Sequence, residues 1–365
     1  MSKRKVRVLI TGAGTGSSGN LIRAVRAMTP KPHVVGINED RFVLKLSLAD
    51  RNYLAPRPAD DEYIDAVSEV IKRERINVVF PTDDHSVKAL SDGRGRLPIQ
   101  LLLPRPNTID LCQDKYALNA FLHERGVPVP RTFQIRSLRD LDRIFANFSN
   151  SGLLWCRARR GSRSLAAIPV TAVEQARAWI TLWRDLRGVK VSDFTLGEYL
   201  PGRHFIVQTV WHEGNLLRAQ AIEVVSYFAA GNNPSATFSL SSLAKTVVAK
   251  DALGVSLRAV QALEPRPSGT FIVELKETQG SIPSITEINA GRFPAGVTAL
   301  LALGNDNMVA IFASAALGNV TPAVELHGLA EAYYLVRDID AIPAVIPERD
   351  LVQSLTMLGH RHRLY

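Results

Sequence analysis

Short apolar runs closed by glycine or proline alternate along this chain with stretches of helical spacing. Residues 6–11 form an apolar run that predicts a buried strand, and residues 20–28 beyond a glycine-rich turn predict a helix. Residues 34–37 predict the next strand. Residues 60–73 carry Ile64, Val67, Val70 and Ile71 at helical intervals, residues 78–80 predict a strand, and a helix starts near His85. Residues 101–104 predict the last strand of this first α/β unit.

Further on, residues 110–126 predict one helix, with Leu111, Lys115, Leu118, Phe121 and Leu122 in phase and Gly126 at its end. A strand over 152–156 and an amphipathic helix over 171–186 follow. Strands are predicted over 205–211 and 217–225, an irregular polar loop over 227–242, and a helix over 247–263. Phe271, Val273 and Leu275 alternate with polar neighbours, Gln279-Gly280-Ser281 is turn chemistry, and residues 282–288 are a second apolar run. Together they predict a hairpin. Residues 297–318 predict a helical region interrupted near 304–306, and residues 333–336 a last strand without a motif around it.

A chain of 365 residues is long enough for two or three domains with real cores. The divisions expected are 1–110, 111–192, 193–320 and a C-terminal extension over 321–365. The formal charge of +9 raises the question of nucleic acid. Yet the basic residues are dispersed apart from clusters at 157–163 and 360–363, and no aromatic-interleaved basic motif accompanies them. The charge therefore favours small anionic molecules over nucleic acid. Cys112 and Cys156 are too few and too far apart for a disulfide framework or a zinc site, which suits a reducing compartment. No apolar run is long enough to cross a bilayer, and the opening Met-Ser-Lys-Arg-Lys leads directly into a strand, so no membrane role and a cytoplasmic location are expected.

The candidate chemistry concentrates on the hairpin. Glu274 on its first strand and Glu287 on its second can point into one cleft, and Asn289 projects to the same face as Glu287. Two carboxylates and an amide oxygen suit Mg²⁺ (or Mn²⁺), a hard ion that keeps contacts for substrate phosphates. Arg292 just beyond could hold an anion bidentately. At the other end of the chain, Gly14, Gly16 and Gly19 fit G-x-G-x-x-G between a strand and a helix, with Glu39 and Asp40 about twenty residues on. That pattern keeps an NAD(P)-dependent oxidoreductase in play. Asp83 and Asp84, after the strand at 78–80, are candidates both for capping the next helix and for facing a ligand at the strand ends.

The hairpin resembles the E…E-I-N-x-R signature of the ATP-grasp ligases, with one residue more between Asn289 and Arg292 than the commonest form. The nearest likeness is to proteins resembling the large subunit of carbamoyl phosphate synthase, over roughly residues 5–320. The resemblance implies an α/β ATP-grasp fold, two α+β lobes behind an N-terminal Rossmann-like domain, with ATP between the lobes. The block from Asp114-Lys115 to Pro128-Val129-Pro130 resembles the D-K…G-V-P-x-P opening of the ATP-grasp domain and implies that Lys115 reaches nucleotide phosphates. Residues 157–164 resemble its K-P-x-x-G-x-G-S segment, which carries phosphate binding to Arg157, Gly161 and Ser162. Arg157 stands where Lys is usual, Ala158 replaces Pro, and Gly161 is the single glycine. Glu198, Tyr199 and Leu200 resemble the linker whose backbone reads adenine, and His204 stands near where relatives hold the ribose. Gly14, Thr15, Asp83 and Asp84 fall on the substrate side. The implied activity is ATP-dependent carboxylate–amine (or other nucleophile) ligation through an acyl phosphate, with Asn289 and Arg292 catalytic and Glu274, Glu287 and Asn289 holding the metal. Small-molecule carboxylate and amine substrates follow, and a homodimer is one candidate state. A nucleotide-binding protein without catalysis is the other alternative, suggested by the glycine-poor loop.

Overall fold

The computed structural model describes residues 5–148, 152–161, 166–228, 240–294, 296–304, 307–320, 331–338 and 342–350. Three sheets organise them. The first consists of parallel strands β1 (Arg7–Ile10), β2 (His33–Asn38), β3 (Arg51–Leu54) and β4 (Val78–Phe80), in the order β3-β2-β1-β4. Helix α1 (Gly16–Arg26) connects β1 to β2, α2 (Tyr63–Glu74) connects β3 to β4, and α3 (Asp84–Asp92) follows β4. Val8 and Ile10 pack with Leu21 and Ile22 of α1, whereas Leu9 packs with Val67 and Ile71 of α2. Consecutive strand residues thus enter different cores, which is why these strands read as continuous apolar runs. Glu74 at the end of α2 ties the unit together by accepting from Arg7, Arg51 and Tyr53.

This sheet departs from the expected pattern in two places. Strand β3 is mostly exposed and carries no alternation, so nothing in its hydropathy announced it. Residues 101–104, expected as a strand, join no sheet among the described residues. Pro98, Pro104 and Pro106 around them lack the N–H that a ladder needs. Leu103 is nonetheless buried in the core beside α2.

The helix expected over 110–126 is two helices, α4 (Pro106–Cys112) and α5 (Lys115–His123). The break is chemical: the Asp114 carboxylate accepts from the backbone N–H groups of Tyr116 and Ala117 and starts a new helix. The second sheet is antiparallel, in the order β5 (Thr132–Gln134), β8 (Phe194–Glu198), β6 (Leu154–Ala158), β7 (Ile168–Val170). One face, with Leu154, Cys156 and Leu196, packs on α6 (Asp140–Ala146) and α7 (Val173–Arg187). The other presents Trp155, Arg157, Thr195 and Gly197 to a cavity.

The third sheet has the order β13-β12-β9-β10-β11-β14-β15, from β9 (His204–His212), β10 (Asn215–Tyr227), β11 (Ser241–Val247), β12 (Gly269–Glu277), β13 (Pro283–Ala290), β14 (Tyr333–Val336) and β15 (Ala344–Pro347). Phe205, Val207, Phe271 and Val273 face α8 (Lys250–Leu263) together with α4 and α5. Ile206, Val210, Ile222 and Ile272 share a core with β1, α1 and α9 (Met308–Ala316), so the first sheet and the third are welded by one apolar layer. β11 lies where a loop end and a helix start were expected, because its polar residues hide its alternation. Most of the expected loop, residues 229–239, lies outside the described residues.

Candidate active site

The three sheets border a common cavity of about 500 Å³. Its centre is the hairpin of β12 and β13. Glu274 pairs directly with Glu287, and the register then skips so that Leu275 pairs with Ile285. Thr286 is the extra residue of this β-bulge, a device that re-aims side chains. Its hydroxyl donates to the Glu274 carbonyl at 3.1 Å and its own carbonyl accepts from Arg157 at 2.9 Å. Asn289 donates to Glu274 at 3.4 Å and to Glu287 at 3.3 Å.

Two like charges directly opposite each other weaken a hairpin unless cations compensate. Lys115 Nζ lies 3.4 Å from Glu287 and donates to the Gly161 carbonyl at 2.6 Å. Arg157 and Arg292 border the same cavity. Burial alone would raise the Glu287 carboxyl, but Lys115, Arg157, the Asn289 amide and Arg292 outweigh it and bring it down to about 2. Burial pulls Arg157 below the usual arginine range, opposed by Glu287 and Glu274. Arg157 reaches the cavity because it alternates with Cys156, whose side chain is in the core of the second sheet. Of its basic neighbours, Arg159 and Arg160 bind Asp114 at 2.6 and 3.1 Å, which fixes them as braces of the α5 start. Ser162 and Arg163 lie outside the described residues.

Arg292 donates to Asp84 at 2.6 Å and to Asn289 Oδ1 at 2.8 Å. Burial would lower its pKa, and Asp84 with the two glutamates raises it instead. The additional residue of this signature is absorbed at Gly291, which has φ +93° and donates to the Thr270 carbonyl. A side chain there would also meet Val87 and Leu103 at 3.0 and 3.2 Å. The donors Glu274, Glu287 and Asn289 suit a hard divalent ion, although the Asn289 oxygen is turned to Arg292 and half a turn of the amide would bring it to the carboxylates. Among the described residues no three His, Cys, Asp or Glu side chains form a metal cluster.

Glu198, Tyr199, Leu200 and His204 also line the cavity, His204 on β9 beside the hairpin. The Glu198 carboxylate accepts from the Arg131 backbone at 2.9 Å. His204 lies 3.5 Å from Glu274 and hydrogen-bonds the Tyr227 hydroxyl. Burial, Glu274 and Tyr199 push that phenol above the usual tyrosine range. From the first sheet, Thr15, Asp83 and Asp84 reach the cavity, but Gly14 does not. Gly14 is packed on Val43, whose carbonyl oxygen would lie 1.9 Å from an added Cβ. Asp83 caps α3 by accepting from the Ser86 N–H and hydroxyl at 2.9 and 2.7 Å. Asn38 ends β2 and donates to the Ala13 carbonyl, and Asp40 caps the turn at Phe42. Of the two acids after β2, Asp40 is thus engaged in its own turn, whereas Glu39 is exposed.

Comparison with known proteins agrees with this layout. The family model for the PylC-like N-terminal domain matches residues 8–98. An L-amino acid ligase from Bacillus licheniformis is 16% identical, with a TM-score of 0.65 over 92% of this chain and 80% of that one. The biotin carboxylase domain dimer of 2-oxoglutarate carboxylase from Hydrogenobacter thermophilus, solved with MgADP and bicarbonate, is 13% identical, with a TM-score of 0.69 over 92% and 75%. N5-carboxyaminoimidazole synthetase from Staphylococcus aureus is 13% identical, with a TM-score of 0.65 over 92% and 83%. The chain has the ATP-grasp fold. No curated protein sequence matches it.

The ATP-grasp cavity also contains residues the sequence did not single out. Lys276, two residues after Glu274, lies 5.4 Å from the Tyr199 ring centre, and burial lowers its pKa. The period of two along β12 was the available signal. Tyr227 was visible only as the edge of a loop. Arg337, just after β14, comes from a region without any motif, and only the tertiary structure reveals it. Among the described residues no helix is long and apolar enough to cross a membrane.

Proposed function

We propose that this chain is an ATP-dependent ligase that activates a carboxylate as an acyl phosphate and passes the acyl group to an amine or another nucleophile. The observation that carries the reading is the facing Glu274–Glu287 pair held among Lys115, Arg157 and Arg292 at one cavity of an ATP-grasp fold. A carboxylate oxygen attacks the γ-phosphorus, the new O–P bond forms as the bond to the β-bridging oxygen breaks, and ADP leaves with the electron pair. The nucleophile then adds to the acyl carbon, the C–O bond to phosphate breaks, and the amine proton passes to phosphate or water.

Positioning and charge neutralisation are what such chemistry needs from the protein. Lys115 and Arg157 neutralise phosphate oxygens, and Arg292, oriented by Asp84 and Asn289, steadies the transferring group. Mg²⁺ held by Glu274, Glu287 and Asn289 would add Lewis-acid neutralisation of the phosphates. The backbone of Glu198 and Leu200 is the candidate reader of the adenine edge, with Tyr199 beside it. The similar structure solved with MgADP and bicarbonate supports a nucleotide and a small oxyanion as ligands. For a nicotinamide dinucleotide, the residue ending β2 is Asn38 and Asp40 is engaged in its own turn, which leaves Glu39 as the acid open to a ribose.

The test is ADP release with Mg-ATP across pools of amino acids and small carboxylates, beside melting curves with Mg-ATP and with NADH. ADP release from one pool and a thermal shift with Mg-ATP are expected. A shift with NADH and none at millimolar Mg-ATP would reverse the assignment. A shift with Mg-ATP but no ADP from any pool would leave a nucleotide-binding protein without catalysis.

A further inference from the structure

Arg337 is a further cation in the lining of the cavity. Arg337 follows β14, and its backbone N–H donates to the Ser242 carbonyl at 2.9 Å. Among the described residues its guanidinium donates once, to the Ser241 carbonyl at 2.7 Å, and lies 5.4 Å from the Phe228 ring centre. Gly296 lies directly against it, since an added Cβ would be 3.1 Å from the guanidinium. Among the described residues no carboxylate pairs with Arg337. The acids nearest the first sheet are already engaged, Asp83 with Ser86 and Asp84 with Arg292. The turn at Thr298–Leu301 packs against both α1 and β14. Thr15, Gly16 and Ser17 at the start of α1, Val297 and Arg337 all line the cavity.

A half-buried guanidinium with most of its fork unused is poorly solvated, and burial pulls its pKa below the usual range. A bound oxyanion relieves both conditions, and the planar fork suits a carboxylate or a phosphate bidentately. We propose that Arg337 is a specificity-determining residue that holds an anionic group of the acceptor substrate, separate from the carboxylate that is activated. The ligase reading supplies the word acceptor; the anion site itself stands on the geometry of Arg337.

The experiment is a thermal-shift titration of wild type, Arg337→Gln and Arg337→Lys. The probes are free amino acids, their amides, dicarboxylates and phosphate monoesters, each with and without Mg²⁺ and a non-hydrolysable ATP analogue. At least one anionic class should stabilise wild type, bind Arg337→Gln about tenfold or more weakly, and be partly rescued in Arg337→Lys. Free amino acids acting where their amides do not would mark a carboxylate; phosphate monoesters acting instead would mark a phosphate. The shift with Mg²⁺ and analogue alone should be the same in all three proteins. If no anion distinguishes wild type from either variant, Arg337 is not an anion site. If anions do distinguish them while the analogue shifts none, the anion site stands and the ligase reading falls.

Discussion

Replacing Glu287 by Gln keeps the shape of the site and removes one charge from its centre. In wild type, Lys115, Arg157, Asn289 and Arg292 hold the Glu287 carboxyl at about 2 against an ordinary 4.5. A displacement of that size corresponds to roughly 3 kcal/mol favouring the ionised, folded form. That displacement is already net of the repulsion from Glu274. The variant should therefore be less stable without ligand at pH 7, by up to roughly 3 kcal/mol. The sign with pH follows from a depressed carboxyl. Its stabilisation is complete above about pH 4.5 and is lost as pH falls towards 2, so at about pH 3 more than half of the difference should have gone. Urea denaturation of both proteins at the two pH values measures this. The same charge is the one proposed to hold the divalent ion. Calorimetric titration of ATP in EDTA should find the variant binding no more weakly than wild type, because three cations remain with one acid fewer. Adding Mg²⁺ should strengthen binding to wild type and not to the variant. Equal enhancement by Mg²⁺ in both proteins, or no stability difference at pH 7, would refute the reasoning.

Other outcomes follow from single features. Arg157→Ala should weaken ATP binding by roughly 1–3 kcal/mol, with Arg157→Lys recovering part of it; equal affinities in a titration would remove Arg157 from the site. Glu74→Gln, at a carboxyl held down to about 2 chiefly by Tyr53 and then Arg51, should cost up to roughly 3 kcal/mol at neutral pH and progressively less below about pH 4.5. A pH-independent difference between the two denaturation curves would contradict that. Gly14→Ala would force a side chain into the Val43 carbonyl at a φ of +94°, so a loss of about 2 kcal/mol or more is expected; an unchanged melting temperature would show that the turn adapts.

Much of this molecule was legible from apolar period and turn chemistry. Strands β1, β2 and β4, the hairpin and the long helices declare themselves because each buries apolar residues in a continuous run or a fixed repeat. The elements that escaped lack that repeat. β3 is held by pairing with β2 although its side chains are exposed. The break at Asp114 is invisible to period, since Lys115 and Leu118 stay in phase with Leu111. It is decided by one carboxylate choosing backbone N–H groups and two arginines as partners. At the cavity, the residues singled out beforehand came from local signatures, and the structure gathers Lys115, Arg157, Glu274, Glu287 and Arg292 around a single space. Lys276 and Arg337 carry no signature. Their direction depends on which strand lies beside which, and that is a long-range property.

The ion pair between Asp84 and Arg292 joins positions 208 residues apart, one on the first sheet and one beyond the hairpin. This has a bearing on how such a chain can be rebuilt. Exchanging the first hundred residues for those of a similar protein is an obvious way to graft a new acceptor preference, because that segment supplies one rim of the cleft. The graft would also replace the carboxylate that aims the arginine. A donor segment without an acid at the first position of the corresponding helix would deliver a new rim together with a misdirected guanidinium, and the chimaera would bind both substrates yet turn over slowly. Compatibility between modules here is decided by a single side chain at the seam.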